Sequence, residues 1–203
     1  MNDTRDKILD TAERLIGERG YAATSLRHII AEAGVNLAAV HYHFGSKEEL
    51  LDELVLRKAS KVNSLRLAGL EALERAGGSR LEVLPVLEAF FDPMVEVASA
   101  HPQFVRLMGR IHSEGMMPAI AEKHFRPTTQ RFLKALAHCL PGISQAELAW
   151  RAHFMVGAMA HAMCNPPLLP KLGPETNLRR RMKLLVTFLA AGFRAPATQG
   201  EEK

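Results

Sequence analysis

The sequence has few cysteines and no long apolar run. Only Cys139 and Cys164 occur in 203 residues, which is too few for a disulfide framework and favours a reducing compartment. The N-terminal residues MNDTRDK are polar and charged, and no apolar stretch behind them is long enough for a signal peptide or a membrane-spanning helix. We therefore expect a cytoplasmic protein that does not insert into a membrane. Its composition, with 47% hydrophobic residues, is that of an ordinary globular chain.

Signals for β-strands and for catalysis are also lacking. The chain shows no sustained two-residue alternation of apolar and polar residues and no Asn-Gly or Asp-Gly dipeptide. It has no G-x-S-x-G, G-x-G-x-x-G or H-E-x-x-H motif and no paired cysteines at the spacing of metal ligands. These absences predict an all-α protein that is not an enzyme and has no cofactor or metal. The alternative left open is an enzyme of apolar substrates that uses one of the nine histidines with a carboxylate.

The basic excess of the chain lies near its C-terminal end. The net charge is +4, but six Lys or Arg residues are opposed by six Asp or Glu residues within 1–47, and the excess falls in 171–194. A DNA contact made by the N-terminal part would therefore depend on individually placed cations and hydrogen bonds rather than on a broad basic face. The same neutrality leaves open a helical interaction protein that does not bind DNA.

Residues that cap and end helices recur along the chain and predict about nine helices. A first amphipathic helix ends at Gly20, and a shorter second helix ends at Gly34. Asn36 is the expected N-cap of a third helix. Ser46 and Glu49 form a capping box at the start of a long fourth helix. The N-terminal part is thus three short helices that lead into a long one.

Residues 24–47 read TSLRHIIAEAGVNLAAVHYHFGSK and predict a helix-turn-helix, because Gly34 can adopt the positive φ that its tight turn requires. Gly20-Tyr21 precedes this segment, and the run Tyr42-His43-Phe44-Gly45-Ser46-Lys47 ends it. With these features the segment resembles the DNA-binding domain of the TetR family of transcriptional regulators. The resemblance implies a helix-turn-helix domain in 1–47, a helical ligand-binding and dimerisation domain in 48–196, and a flexible tail in 197–203.

The resemblance places DNA contacts around the second helix of the motif, which enters the major groove in such domains. Leu37 and Ala38 are expected to touch thymine methyl groups, and His41 and Tyr42 to hydrogen-bond base edges. Phosphate contacts are expected from the residues that begin the preceding helix and from Lys47. The predicted DNA-binding residues are Thr24, Ser25, Arg27, Asn36, Leu37, Ala38, Ala39, His41, Tyr42, His43 and Lys47.

Some side chains of this segment are expected to have a structural role instead. Leu26, Val40 and Phe44 are assigned to the core of the small domain rather than to DNA. His43 fits a packing position as readily as a phosphate contact. A zinc site at His41 and His43 is excluded, because residues two apart on a helix point about 200° away from each other.

Large flexible apolar side chains are concentrated between residues 90 and 163, and Pro85 and Pro93 are expected to start, kink or break helices near them. At helical spacing such residues usually form core, but interrupted helices can also enclose an apolar ligand. A polar group for the ligand is expected from one of five basic residues, which otherwise lie in solvent: Arg106, Arg110, His112, Arg126 and Arg131. The predicted ligand-binding residues are Phe90, Met94, Phe104, Leu107, Met108, Ile111, Phe125, Met155 and Met159.

Four runs resemble a narrower group within the family, the fatty-acid-responsive repressors of lipid degradation genes. The runs are VNLAAVHYHFGSKEEL, FVRLMGRIHSEG, WRAHFMVGAMAHAM and FLAAGFRA. This resemblance implies a repressor that leaves a palindromic operator on double-stranded DNA when a long-chain fatty acid or its CoA thioester binds. A repressor of another hydrophobic or aromatic compound remains the alternative.

The last two predicted helices have the pattern of a helix–helix interface. Small residues and histidines recur every four residues on one helix, and large apolar residues form a stripe on the other. The family resemblance implies that both helices pair with a second copy in a homodimer, which two operator half-sites also require. His161 and Cys164 share a face, and packing is favoured over metal binding or redox chemistry for them. The predicted interface residues are Ala149, His153, Gly157, His161, Leu178, Met182, Leu185 and Leu189.

Overall fold

A computed structural model describes residues 2–77, 81–164 and 177–198, and none of these residues lies in a β-strand. The all-α prediction is confirmed, with ten helices in the described part where about nine were expected. No described helix is both long enough and apolar enough to cross a membrane. The helices are α1 (Asn2–Arg19), α2 (Leu26–Ala33), α3 (Leu37–Phe44), α4 (Lys47–Gly77), α5 (Val83–Ala100), α6 (Pro102–Ser113), α7 (Met117–His124), α8 (Arg126–Cys139), α9 (Gln145–Cys164) and α10 (Leu178–Arg194).

The helices pack into two units whose limits differ from the predicted boundary after residue 47. One unit contains the described residues up to Lys61 together with Ala100–Phe125. The other contains Val62–Ser99 and the described residues from Arg126 onward. The continuous helix α4 therefore contributes to both units, and α6 and α7 pack with the N-terminal helices although they follow them by about eighty residues.

The core of the first unit is built around α1. The predicted apolar face of this helix is buried, with Leu9 and Ile16 fully enclosed. Helices α2, α3 and α6 pack on α1, and α6 makes the most extensive contact. Leu107 and Ile111 of α6 are both fully buried. Apolar residues at helical spacing on α1 thus hold α2, α3 and α6 against this helix.

The core of the second unit joins α5, α8, α9 and α10. The ring of Phe90 packs edge-to-face on Phe132, with centroids 5.2 Å apart, and on Phe91 at 5.7 Å. Helix α5 continues through Pro93, a residue at which a start, kink or break was expected. The buried side chains of α5 on both sides of Pro93 hold the helix there despite the missing amide donor. Pro85 lies in the first turn, where a missing donor costs nothing.

The end of α10 is held by Arg151 of α9. Its guanidinium donates to the carbonyl oxygens of Phe193 at 2.6 Å, Ala195 at 2.9 Å and Pro196 at 2.8 Å. Arg151 also pairs with Glu147, which lies on the same helix and accepts a hydrogen bond from the Thr198 amide at 3.2 Å. The chain predicted as a flexible tail from residue 197 is therefore bonded as far as residue 198, and 199–203 lie outside the described residues.

Candidate nucleic-acid interface

The helix-turn-helix is set by one cap at each end of α2. Ser25 is the N-cap, with its Oγ accepting from the His28 amide at 3.2 Å. Helix α2 ends at Gly34, which has φ of 62° and ψ of 40° in the left-handed region. The Gly34 and Val35 amides then donate back to the carbonyls of Ala31 and Ile30, at 3.3 and 3.2 Å. The short chain between α2 and α3 is thus a turn of defined geometry.

Helix α3 exposes one face and buries the other. Leu37 is 52% exposed and Tyr42 is 77% exposed, whereas Val40 is fully buried. Ala38 and His41 are also exposed, and together with Leu37 and Tyr42 they follow the i, i+1, i+4, i+5 spacing of one helix face. The structure thus brings the four predicted base-contacting residues onto one accessible surface. The side chain of Ala39 lies outside the described part of the chain, and Asn36 is exposed.

The two histidines of α3 have different surroundings. Nδ1 of His41 lies 3.0 Å from the carbonyl oxygen of Gly45. A neutral His41 that donates from Nδ1 presents Nε2 as an acceptor on the exposed face. The ring of His43 is half-buried and packs edge-on against Tyr42, with centroids 5.1 Å apart. The geometry of His43 agrees with the packing alternative.

The predicted phosphate contacts divide into two groups. Thr24 is fully buried, and its hydroxyl lies 2.8 Å from the carbonyl oxygen of Gly20, to which it donates. The prediction that Thr24 contacts phosphate is wrong, because this hydroxyl ties the loop to the end of α1. Ser25 and Arg27 are exposed at the start of α2. Ser25 Oγ serves as the cap acceptor and keeps its own proton for a further acceptor.

Lys47 begins α4 and is held against the loop between α1 and α2. Its Nζ donates to the carbonyl oxygen of Tyr21 at 2.6 Å and lies 3.9 Å from the centroid of the Tyr21 ring. The Tyr21 hydroxyl donates to Glu48 at 3.1 Å. Burial, followed by the hydrogen bond to Glu48 and its charge, raises the pKa of Tyr21 to about 12, so this hydroxyl remains a donor near neutral pH. The Lys47 ammonium is fixed in position and has protons left for a second acceptor.

The interface contains little negative charge. Glu32 is the only carboxylate in residues 24–47. Its Oε1 pairs with Nη2 of Arg14 at 2.6 Å. This pair neutralises the one carboxylate of that segment. Residues 24–47 therefore offer Arg27 and Lys47 to an anion, and the carboxylate of Glu48 follows Lys47 directly on α4.

A second contact, which sequence reasoning missed, joins α6 to the loop that precedes α2. The carboxylate of Glu114 accepts hydrogen bonds from the amides of Tyr21 at 2.8 Å and Ala22 at 3.0 Å. Nη2 of Arg110 donates to the carbonyl oxygen of Glu18 at 3.0 Å. The partners are more than ninety residues apart, so no local pattern indicates them. The end of α6 is therefore hydrogen-bonded to the backbone that leads into the helix-turn-helix.

The nine predicted ligand-binding residues are distributed over both packing units. Phe90 and Met155 belong to the core of the second unit, with Met159 packed against it. Met94 is buried on α5. The other five belong to the first unit, where all are buried except the half-buried Met108. These five are Phe104, Leu107, Met108, Ile111 and Phe125. A groove of about 490 Å³ between α8 and α9 is lined by none of the nine.

The predicted dimer residues separate by helix. On α9, Ala149, His153, Gly157 and His161 are all exposed. On α10, the stripe faces inward: Met182 and Leu189 are buried in the core, and Leu178 and Leu185 pack against it. The assignment of this stripe to a partner surface is wrong, because α10 uses it to pack within its own unit.

A different set of large apolar residues is exposed on the same two helices. Leu184 of α10 is 62% exposed and Phe188 is 73% exposed, one helical turn apart. On α9, Trp150 is 61% exposed and Phe154 62%, with ring centroids 5.8 Å apart. Four large apolar side chains on one pair of packed helices are more than the scattered exposure of a typical surface. We call Trp150, Phe154, Leu184 and Phe188 the exposed apolar set.

The fourth helix carries a buried cation that sequence reasoning passed over. Arg66 is 2% exposed, and its Nε donates to the carbonyl oxygen of Phe90 at 2.7 Å. The guanidinium carbon lies 3.7 Å from the centroid of the Phe90 ring. The signal was present, because Arg66 lies four residues from both Val62 and Leu70 in the buried stripe of α4.

No group of three or more potential metal ligands occurs among the described residues. His161 is exposed, and the side chain of Cys164 lies outside the described part, so the packing prediction for this pair stays a prediction.

Two family models match the chain. Residues 8–54 match the bacterial regulatory proteins of the tetR family, and residues 88–192 match the tetracyclin repressor-like C-terminal domain. The transcriptional regulator BetI of Agrobacterium fabrum is 36% identical over 87 residues, which are 43% of this chain and 41% of BetI. The chain thus matches less than half the length of that relative.

Two solved structures share the fold along nearly the whole chain. The ketosteroid transcriptional regulator KstR2 of Mycobacterium tuberculosis has a TM-score of 0.64 at 20% identity, with 95% of each chain covered. The fatty acid degradation regulator FadR of Bacillus halodurans has a TM-score of 0.63 at 17% identity, with 94% of this chain and 96% of that chain covered. Likeness at these identities establishes the fold alone.

Proposed function

The chain belongs to the TetR family of bacterial transcriptional regulators, and we propose that it is a homodimeric repressor released from a palindromic operator by an apolar effector. The family consists of DNA-binding regulators rather than enzymes. The observation that carries the proposal is the exposed face of α3, on which four predicted base-contacting residues lie opposite a buried Val40.

The proposed DNA contacts follow from the chemistry of that face. Leu37 and Ala38 offer apolar contact to thymine methyl groups. His41 offers an acceptor at Nε2 when Nδ1 donates to Gly45, which suits the exocyclic amino groups of adenine and cytosine. Arg27 in the first turn of α2 and Lys47 at the start of α4 are the proposed phosphate contacts. Lys47 is held in place by the Tyr21 ring and carbonyl, so it binds phosphate without a large loss of side-chain entropy.

The proposed dimer buries the exposed apolar set. A palindromic operator has two half-sites related by a two-fold axis, so a repressor of this kind requires a symmetric pair of chains. Aromatic anchors are enriched at such interfaces, and Trp150, Phe154 and Phe188 supply them on α9 and α10. Ala149, His153, Gly157 and His161 remain candidates, because they are exposed on α9 and small residues there permit close approach.

The proposed effector is a long-chain fatty acid or an acyl-CoA, with another hydrophobic or aromatic compound as the alternative. Buried methionine and phenylalanine side chains on α5 and α9 favour an apolar ligand. FadR, named as a fatty acid degradation regulator, shares the fold and supports the first choice, whereas KstR2, named as a ketosteroid regulator, supports the alternative.

The proposed route to DNA release passes through α6. Glu114 and Arg110 bind the backbone at the end of α1 and in the loop before α2. An effector that favours another position of α6 therefore shifts the population of helix-turn-helix orientations, and the dimer loses the spacing of successive major grooves.

The proposal is tested by fluorescence anisotropy on DNA from immediately upstream of the protein's own gene. The expected result is tight, salt-sensitive binding of a dimer that palmitic acid or palmitoyl-CoA releases. Binding that no lipid releases would support the proposal of a DNA-binding regulator and favour the alternative effector. If neither this DNA nor sequences selected from random DNA are bound, the chain is instead a helical interaction protein.

Lys47→Ala tests the phosphate contact within the same assay. We expect weaker binding to every operator sequence and a salt slope smaller by about one, because one ion pair with phosphate is lost. Lys61→Ala is the matched control, since Lys61 is an exposed lysine on the same helix, four turns further on. An unchanged slope for Lys47→Ala would contradict the assignment.

A further inference from the structure

Arg66 is the most deeply buried cation among the described residues of the second packing unit, and its Nη2 has no hydrogen-bond partner among them. The residue is 2% exposed, and Nε donates to the Phe90 carbonyl oxygen. The guanidinium also lies against the face of the Phe90 ring. Nη2 is buried and has no acceptor among the described residues. The carbonyl oxygen binds Nε and the ring covers one face of the guanidinium, so Nη2 is the buried nitrogen that lacks an acceptor.

Two other arginines of the chain have carboxylate partners. Arg57 pairs with Asp10 and Glu13, and Arg131 pairs with Glu74, although both arginines are more exposed than Arg66. No carboxylate of the described residues pairs with Arg66. Burial lowers the pKa of the Arg66 guanidinium to about 9, so the group is still charged at neutral pH. A buried charge without a counter-charge is strongly unfavourable, so a bound anion would stabilise this guanidinium.

We propose that Arg66 binds the free carboxylate of the effector and that the effector is an apolar monocarboxylic acid. The planar guanidinium matches the geometry of a carboxylate, and its contact with the Phe90 ring restricts its movement. One carboxylate neutralises the one buried charge, whereas a doubly charged phosphate would leave a second charge uncompensated. The apolar body of the acid would lie among the buried side chains of α5, on which Phe90 and Met94 follow one another by one turn.

This inference rests on the proposed function and narrows the effector to a free carboxylic acid. A fatty acid and its CoA thioester differ at the carboxyl carbon, since the thioester carries no charge there. A site organised around Arg66 therefore selects the free acid over the thioester and over neutral esters. The competing interpretation is that Arg66 only ties α4 to α5 through the Phe90 carbonyl, in which case the charge of the ligand is irrelevant.

The first experiment needs no variant. Binding of decanoic, palmitic and oleic acids to the full-length protein is measured by calorimetry, next to their methyl esters and CoA thioesters. We expect at least one acid to bind at least about thirtyfold more tightly than its ester and its thioester, because the neutral analogues leave Arg66 unpaired. Equal affinity for acid and ester, or no binding of any of the three acids, overturns the proposal.

Arg66→Gln supplies the second arm. Glutamine keeps a donor for the Phe90 carbonyl but removes the charge, and Arg131→Gln is the matched control because its guanidinium is exposed and already paired with Glu74. We expect Arg66→Gln to bind the acid at least about thirtyfold more weakly and to lose the preference over the ester, with operator affinity unchanged. Arg131→Gln is expected to behave as the wild type. A variant that retains the preference for the acid overturns the proposal.

The two arms separate this inference from the proposed function. If the wild type binds operator DNA but does not prefer the acid, the proposal for Arg66 is wrong and the proposal of a DNA-binding regulator is supported. If the wild type prefers the acid and this preference depends on Arg66, but the protein binds no DNA, the proposal for Arg66 is supported and the proposal of a DNA-binding regulator is wrong. The acid and ester comparison on the wild type remains decisive even if Arg66→Gln does not fold.

Discussion

Replacing Gly20 with alanine tests the contact between α6 and the loop before α2. Gly20 has φ of +91°, a conformation that side chains with a Cβ rarely adopt. A Cβ at this position would overlap Oε1 of Glu114. The same carboxylate holds the amides of Tyr21 and Ala22. The substitution therefore strains the backbone and also displaces Glu114.

The two costs can be estimated separately. Backbone strain for alanine in the left-handed region is about 1 kcal/mol. Each of the two hydrogen bonds to Glu114 contributes about 0.5 kcal/mol, at the lower end of the usual range because the carboxylate is exposed. We expect Gly20→Ala to lower the free energy of unfolding by about 2 kcal/mol. Gly34→Ala is the control, since Gly34 also has positive φ but its nearest contact, Lys7 Nζ at 3.9 Å, is unstrained. It should lose only about 1 kcal/mol.

Urea denaturation of the single and double variants with Glu114→Ala measures the coupling. In the Glu114→Ala background, Gly20→Ala is expected to cost only the strain, about 1 kcal/mol, because there is no carboxylate left to displace. The cost of Gly34→Ala is expected to be the same in both backgrounds. If Gly20→Ala costs equally with and without Glu114, the contact between Gly20 and Glu114 has no energetic role and the reasoning is refuted.

Three further predictions concern the dimer surface, the ion pairs of Asp52 and the end of α10. Phe188→Ser should convert the dimer to monomers in analytical ultracentrifugation, with Thr187→Ser as the control on the same helix; a dimer of unchanged affinity would contradict the proposed interface. Burial raises the pKa of Asp52, but hydrogen bonds from Lys123 and His124 and their charges outweigh it and hold the pKa below its ordinary 3.8. Asp52→Asn should therefore destabilise the protein at pH 7, and the difference should disappear as the pH falls below 3.8 through the lower folded-state pKa; a difference that persists in acid would exclude this cause. Arg151→Gln should lower the free energy of unfolding by about 1 to 2 kcal/mol through lost bonds to the α10 carbonyls, and an unchanged urea midpoint would show that they contribute little.

The helices and their caps were predictable because they are local features. The capping box of Ser46 and Glu49 forms both of its hydrogen bonds, at 2.9 and 3.1 Å, and Ser144 caps α9 through the Glu147 amide. The left-handed turn at Gly34 lies where the sequence predicts it. Each of these depends on residues within four positions of one another, so the sequence contains all the information needed.

The roles of individual side chains were less predictable, because burial depends on partners far along the chain. Thr24 has the hydroxyl and the sequence position of a phosphate contact, but its side chain is buried against the end of α1. The stripe with Met182 and Leu189 has the spacing of an interface, but α10 uses it within its own unit. Apolar periodicity identifies a helix face without identifying what covers that face.

The sequence by itself determined the all-helical class, the helix-turn-helix and the family, since these follow from local caps, periodicity and one specific run of residues. Only the tertiary structure decided that α6 packs on α1, that the exposed apolar set lies on α9 and α10, and that Arg66 is enclosed with no carboxylate partner in the part of the chain that the structure describes. The physical reason is that these features arise from contacts between helices. The free energy of a buried or exposed side chain is set by the neighbours that the fold assembles around it.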